Sequence, residues 1–223
     1  GHPLTVLNLA KDDSYDVAVL EMGMSTPMNE IARLARITPP ELAVELNVLP
    51  VHVEHLGSIE NVAKAKAELI EGLKPGGTAV LNADDPRVLA MRSLTQGPVM
   101  TFGIDDPDAD VRAENIAFEG FGDTAFDLVL PAGTARVLFP LNGKHNILNA
   151  LAAAAVGYTF GMTVNEIAAS LRTVASPSQR LERWRGKSGF TVINDSYNSN
   201  PAALLSMVKT LVEGGRRASR RIV

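Results

Sequence analysis

The 223-residue chain contains no cysteine. Disulfides, thiolate metal sites and cysteine nucleophiles are therefore excluded, and the absence fits a reducing compartment. Aromatic residues make up only 5%, with a single tryptophan. No run of about 18 apolar residues occurs, so no membrane span is expected. The opening Gly1-His2-Pro3 lacks the layout of a signal peptide. A cytoplasmic protein is the expectation. Positive charge is in deficit: 21 Lys and Arg stand against 25 Asp and Glu, a net charge of −4. No basic excess points to nucleic acid, and Arg216-Arg217 with Arg220-Arg221 reads as a solvated end. No G-x-x-x-x-G-K-S/T phosphate loop is present either. A nucleotide site built from these residues lacks that cradle.

What is present is an ordinary globular composition, 46% hydrophobic and 21% charged. The first half alternates strand and helix patterns. Strands are predicted at Asp16–Gly23, Glu41–Val48, Thr78–Asn82 and Val99–Gly103. Helices are predicted at Asn29–Ile37 and Ile59–Leu73, with another starting at Asp85-Pro86. Such alternation predicts an α/β fold, a mostly parallel sheet flanked by helices. Val111–Phe118, Thr124–Leu130 and Ala135–Leu141 follow with no helix between them, which predicts an additional antiparallel β section. Helices at Asn146–Tyr158 and Thr163–Leu171 come next, the second opened by a capping box at Thr163 and Glu166. Short strands at Leu181–Trp184 and Thr191–Asn194 precede a last helix from Pro201 to Glu213. The start in mid-pattern and the final Ile222-Val223, which reads like a strand beginning, suggest ends cut from something larger.

Polar residues gather where strands end, the place where open α/β sheets bind ligands. Glu21 closes one predicted strand and His52 follows the next. Oxygen with one nitrogen and no sulfur suits Mg²⁺ or Mn²⁺; a surface glutamate and a structural loop histidine are the plainer alternatives. On the next helix, Ile59, Val62, Ala63, Lys66, Leu69, Ile70 and Leu73 form an apolar stripe, with Glu60, Lys64, Glu68 and Glu71 on a wet face. An unpaired ammonium within that stripe is costly. Lys66 either snorkels to the edge or meets an anion, a metal-bound group or a covalent modification. Asn146 and Asn149 share one face at a helix start, where amides can read a base edge or simply cap. Asp195, at a strand end, suits ribose hydroxyls or a turn.

Several strings occur in a fixed order: Glu21-Met22-Gly23, Asn47-x-x-Pro50-x-His52-x-Glu54-x-x-Gly57-Ser58, Ala65-Lys66, Leu81-Asn82-x-Asp84-Asp85-Pro86, His145-Asn146-x-x-Asn149-Ala150, Arg180-Leu181-Glu182 and Asp195-Ser196-Tyr197-Asn198-x-Asn200-Pro201. Together they resemble the central, ATP-binding domain of the Mur ligases, and most closely the branch that adds D-alanyl-D-alanine. Residues 1–215 would be that domain, N-terminally truncated, and 216–223 the start of a missing C-terminal domain. The resemblance implies ATP and Mg²⁺ as cofactors. It implies UDP-N-acetylmuramoyl-tripeptide and D-alanyl-D-alanine as substrates, joined through an acyl phosphate in peptidoglycan precursor synthesis. Glu21 and His52 would hold Mg²⁺, and Lys66 would support the metal as a carbamate, these three forming the catalytic set. Asn146 and Asn149 would face adenine, Arg180 the phosphates and Asp195 the ribose. A monomer is expected, inactive by itself for want of a phosphate loop. The alternatives are another Mur or folylpolyglutamate synthase-like ligase, or a non-catalytic module that kept the fold. Three places depart from the family pattern: Thr26-Pro27-Met28-Asn29, Glu45 where relatives carry an uncharged residue, and Ser178-Gln179 before Arg180.

Overall fold

Short apolar runs closed by turn residues become the strands of this chain. The computed structural model describes residues 1–11, 14–24, 29–50, 56–118, 123–175, 178–197, 201–214 and 218–223. It divides into two compact units, residues 1–101 and 102–223.

In the first unit, β1 (Leu42–Glu45) and β2 (Thr78–Asn82) pair in parallel, Leu42 opposite Thr78 and Glu45 opposite Leu81. Ala79, Val80 and Leu81 are all fully buried, as expected of a parallel strand covered on both faces. Helix α1 spans His2–Leu9, α2 Glu30–Ile37 and α3 Ile59–Glu71; α4 (Pro86–Leu89) runs into a 3-10 turn at Ala90–Leu94. Ser58 caps α3, its hydroxyl accepting from Asn61 N at 3.2 Å. Val62, Ile70, Leu81, Val88 and Met91 belong to one buried cluster. Helices α2 and α3 approach closely at Gly72, where a Cβ would lie 2.6 Å from the Ala35 Cβ.

Several expectations are corrected in this unit, among them the strand Glu41–Val48, which shortens to Leu42–Glu45. Asp16–Gly23 forms no strand. Its valines lie in water, with Val19 91% exposed; a ladder comes from a partner edge, which an apolar run does not supply by itself. Among the described residues, β1 pairs only with β2. Helix α1 was not foreseen. Pro3 sits in its first turn, where a missing N–H is tolerated, and His2 Nε2 lies 2.9 Å from Thr38 Oγ1. Glu68, assigned to the wet face of α3, is buried. Its carboxylate accepts from Asn29 N at 2.5 Å and from Ala32 N at 3.0 Å, so it caps the start of α2. A helix N-terminus offers unpaired donors and favours an anion. A stripe drawn at helical spacing shows the apolar face but not a neighbouring helix end. Glu68→Ala is expected to cost about 2 kcal/mol through the two donors left unpaired, read as a lower urea midpoint. An unchanged midpoint would contradict the cap.

Strand β3 (Val99–Gly103) crosses into the second unit, where Phe102 and Gly103 pair in parallel with Val111 and Arg112 of β4 (Val111–Phe118). Antiparallel pairing then joins β4 to β5 (Thr124–Leu130) and β5 to β6 (Gly133–Phe139). The predicted third strand, Ala135–Leu141, is thus two residues earlier than read, since Gly133 at φ 143° already pairs with Leu130. Phe126 and Phe139 meet edge to face, centroids 6.3 Å apart. Helix α5 (Lys144–Thr159) buries Ile147, Leu151, Ala154 and Ala155. Helix α6 (Val164–Leu171) begins with the predicted capping box, both halves formed. A separate antiparallel pair, β7 (Glu182–Arg185) and β8 (Thr191–Asn194), precedes α7 (Pro201–Gly214). The fold is α/β, with parallel pairing, flanking helices and an antiparallel section, as the pattern predicted. No helix among the described residues is long and apolar enough to cross a membrane.

Candidate functional site

Among the described residues, a polar cluster in each unit holds predicted site residues. In the first, β1 and β2 deliver their carboxyl ends side by side. Asn82 Nδ2 donates to Leu46 O at 2.8 Å. Asp85 caps α4, its Oδ1 accepting from Arg87 N at 2.9 Å, while its Oδ2 accepts from Val48 N at 2.7 Å. Asn82 and Asp85 thus pin the backbone that follows β1. Beside them Lys66 Nζ donates to Glu45 Oε2 at 3.1 Å. The Glu45 side chain is 4% exposed and that of Lys66 25%. Burial pushes the Glu45 carboxyl above its usual range, the Lys66 ammonium opposes this, and the charge of Asp85 adds to the rise.

The apolar-stripe lysine therefore meets an anion supplied by its own chain. A carbamate on Lys66 would set a second negative charge against the buried Glu45 carboxylate, whereas an ammonium offsets it. As an ammonium Lys66 has no lone pair for a metal; the metal role predicted for it belongs to its carbamate form. Glu21 is exposed, outside regular structure, and has the oxygen chemistry that suits Mg²⁺. His52 lies outside the described residues. Among the described residues, no three histidine or carboxylate side chains gather; Mg²⁺ is commonly held by one or two carboxylates with substrate phosphates.

In the second unit a cavity of about 280 Å³ is lined by Asn142, Leu181, Glu182, Arg183, Ile193 and Thr210, among others. Residues of the connection between β6 and α5, of α7 and of the β7–β8 segment close around it. Asn146 Nδ2 donates to Asn142 O at 2.7 Å, so this amide fixes a wall of the cavity. Asn149, one turn further along α5, is exposed. Asp195 Oδ1 accepts from Leu181 N at 3.2 Å, and Arg180 precedes Leu181. Asn146 and Asp195 thus each bond to a residue of the cavity lining, and Arg180 precedes one of these two. His145 Nδ1 lies 3.1 Å from Ser206 Oγ on α7. Packing pushes the imidazole below its usual range while Asp195 pulls the other way. Gly143, at φ 99°, lies under that ring. Asn142 and Thr210 were not foreseen as cavity residues; the glycine before the His145 string was the only signal, since Thr210 is brought in by α7 folding back.

The Mur ligase middle domain family model matches residues 1–157. The chain belongs to the Mur ligases. This Mur ligase chain is 37% identical over 214 residues to the UDP-N-acetylmuramoyl-tripeptide–D-alanyl-D-alanine ligase of Escherichia coli, covering 96% of the chain and 46% of that protein. The enzyme of the same name from Bacillus subtilis is 33% identical over 214 residues, covering 94% and 44%. A solved MurF ligase from Thermotoga maritima in complex with ADP superposes with a TM-score of 0.76 at 27% identity, over 86% of this chain and 43% of that one. The chain thus spans under half the length of these relatives. The family model stops before Arg180 and Asp195, but the E. coli alignment runs over nearly the whole chain.

Proposed function

We propose that this chain is the central portion of an ATP-dependent ligase that adds D-alanyl-D-alanine to UDP-N-acetylmuramoyl-tripeptide, in the cytoplasm. The observation that carries the reading is the 37% identity over 96% of the chain to a ligase of that name. The cavity, with Asn146 and Asp195 bonded to its lining and Arg180 adjoining it, supports a nucleotide half-site. Arg180 would donate to phosphate oxygens through its planar fork. Asp195 has two oxygens and several lone pairs, so its bond to Leu181 N is compatible with a ribose hydroxyl. Asn149 would offer its amide to the base. Mg²⁺ would accompany ATP, with Glu21 and His52 as its ligands.

Phosphoryl transfer of this kind needs positioning and charge neutralisation more than covalent help from the protein. Lys66 would serve that purpose through its charge, as an ammonium paired with Glu45 or as the carbamate that the resemblance implies. The substrate carboxylate attacks the γ-phosphorus and ADP leaves; the amine of D-alanyl-D-alanine then attacks the acyl carbon and phosphate leaves. The 223 residues alone are not expected to turn over ATP, because they contain no G-x-x-x-x-G-K-S/T loop. The test is phosphate release by the full-length ligase with ATP, the tripeptide substrate and a panel of amines: D-alanyl-D-alanine, D-glutamate, diaminopimelate and L-lysine. Release that depends on D-alanyl-D-alanine supports the assignment; release driven by another amine overturns it.

A further inference from the structure

Arg180 sits between two residues in the left-handed region, Gln179 at φ 62° and Leu181 at φ 52°. Neither is glycine, and for leucine this backbone is costly. Strain of this kind persists only where the surroundings over-determine it, and it clusters at ligand sites. The surroundings here are specific. Tyr197 N donates to Gln179 O at 3.1 Å. Gln179 N donates to Glu182 Oε2 at 3.0 Å. Asp195 Oδ1 takes Leu181 N. The turn is thus held on both sides of Arg180 by the segment that follows β8.

Its side chain is held too. The Arg180 guanidinium carbon lies 4.2 Å from the centroid of the Tyr197 ring. A guanidinium is planar and weakly hydrated, and stacking on an aromatic face uses its face alone. The N–H donors lie in its plane, so the ring does not compete for them. Holding the guanidinium on a ring restricts where its planar fork can lie, and that fork suits two-bond recognition of an oxyanion. The adjoining Leu181, Glu182 and Arg183 line the cavity.

We propose that Tyr197 is a positioning residue: with the strained Gln179–Leu181 turn, its ring presents Arg180 to the phosphates of a nucleotide bound at the cavity. The inference rests on the nucleotide reading of that cavity and deepens it. Tyr197 touches no substrate in this account; it acts through Arg180. The side chain is 62% exposed, so replacing it opens no core.

The test is steady-state kinetics of the full-length ligase with ATP varied, for Tyr197→Leu, Tyr197→Phe, Arg180→Ala and the double variant Arg180→Ala/Tyr197→Leu. Tyr197→Leu is expected to raise KM for ATP about three- to tenfold, the range of a cation–π contact, with the thermal midpoint unmoved. Tyr197→Phe keeps the ring and is expected to rescue KM. In the double variant the leucine is expected to add nothing to the loss from Arg180→Ala. If Arg180→Ala raises KM while Tyr197→Leu does not, the positioning role is overturned and the nucleotide site stands. A phenylalanine variant as impaired as leucine also overturns it, since the ring would not be the operative part. If Arg180→Ala itself leaves KM unchanged, the nucleotide reading of the cavity fails, and this inference with it.

Discussion

Replacing Lys66 with methionine is expected to lower unfolding free energy by about 3 kcal/mol at pH 8, and by far less near pH 4. The substitution keeps the stem in place and removes only the charge. It leaves the Glu45 carboxylate buried without the ammonium now 3.1 Å away. An uncompensated buried charge is the expensive outcome, more so than loss of the pair as a whole. Lys66 is a quarter exposed, so water softens the loss and the lower end of the usual range applies. The pH dependence has a definite sign. Burial holds the folded-state pKa of Glu45 above its ordinary 4.5. The folded protein then binds more protons than the unfolded chain between those two values, and stability falls as pH rises through that window. Removing Lys66 removes the influence that lowers the folded value, so the window widens and the fall grows. Below the unfolded value both states are protonated and the variant approaches the parent. Urea denaturation at pH 4 and pH 8 reads both arms; an equal loss at both contradicts a charged pair.

Gly143→Ala is expected to be comparably severe, about 3 kcal/mol, combining a left-handed backbone with overpacking. The φ of 99° is strained for any residue with a Cβ. The added methyl would also lie 2.7 Å from His145 Cε1 and 2.9 Å from Thr210 Oγ1. Relief requires the imidazole to move, which breaks its contact with Ser206 and loosens α7 from the start of α5. Thr210 and Asn142 line the cavity, so nucleotide affinity of the full-length ligase is expected to drop more than tenfold alongside the thermal midpoint. A variant that keeps both would show that the cavity does not depend on this packing.

Strands β2, β3, β4, β5 and β8 lie where their residue patterns predict, because each is a run bounded by turn residues and paired with a near neighbour in sequence. Asp16–Gly23 fails for the complementary reason: its apolar pattern is as strong, but a ladder requires an edge to join. The site was legible to the extent that its motifs are local. Asn146 and Asp195 each bond to a residue of the cavity lining, and Arg180 adjoins one of these two; the nucleotide roles that the resemblance implies for them are proposals. Glu45 was noticed only as a departure from the family pattern, and it supplies the anion that the helix stripe offered as one partner for Lys66. Glu68 and Thr210 carried no signal, and Asn142 only the neighbouring Gly143, since each owes its role to a segment distant in sequence: α2 for Glu68, the cavity walls for the others. His52, the other half of the predicted metal pair, lies outside the described residues.

The central claim is that this chain belongs to an enzyme that activates a carboxylate as an acyl phosphate before an amine attacks. It is tested most directly by oxygen transfer. The full-length ligase is supplied with ATP, D-alanyl-D-alanine and the tripeptide substrate carrying ¹⁸O in both oxygens of its reacting carboxylate. Expulsion of phosphate from the acyl phosphate carries one of those oxygens away and leaves the other in the new amide. Each phosphate released is therefore expected to contain one ¹⁸O atom by mass spectrometry. Unlabelled phosphate from the same reaction would contradict the account.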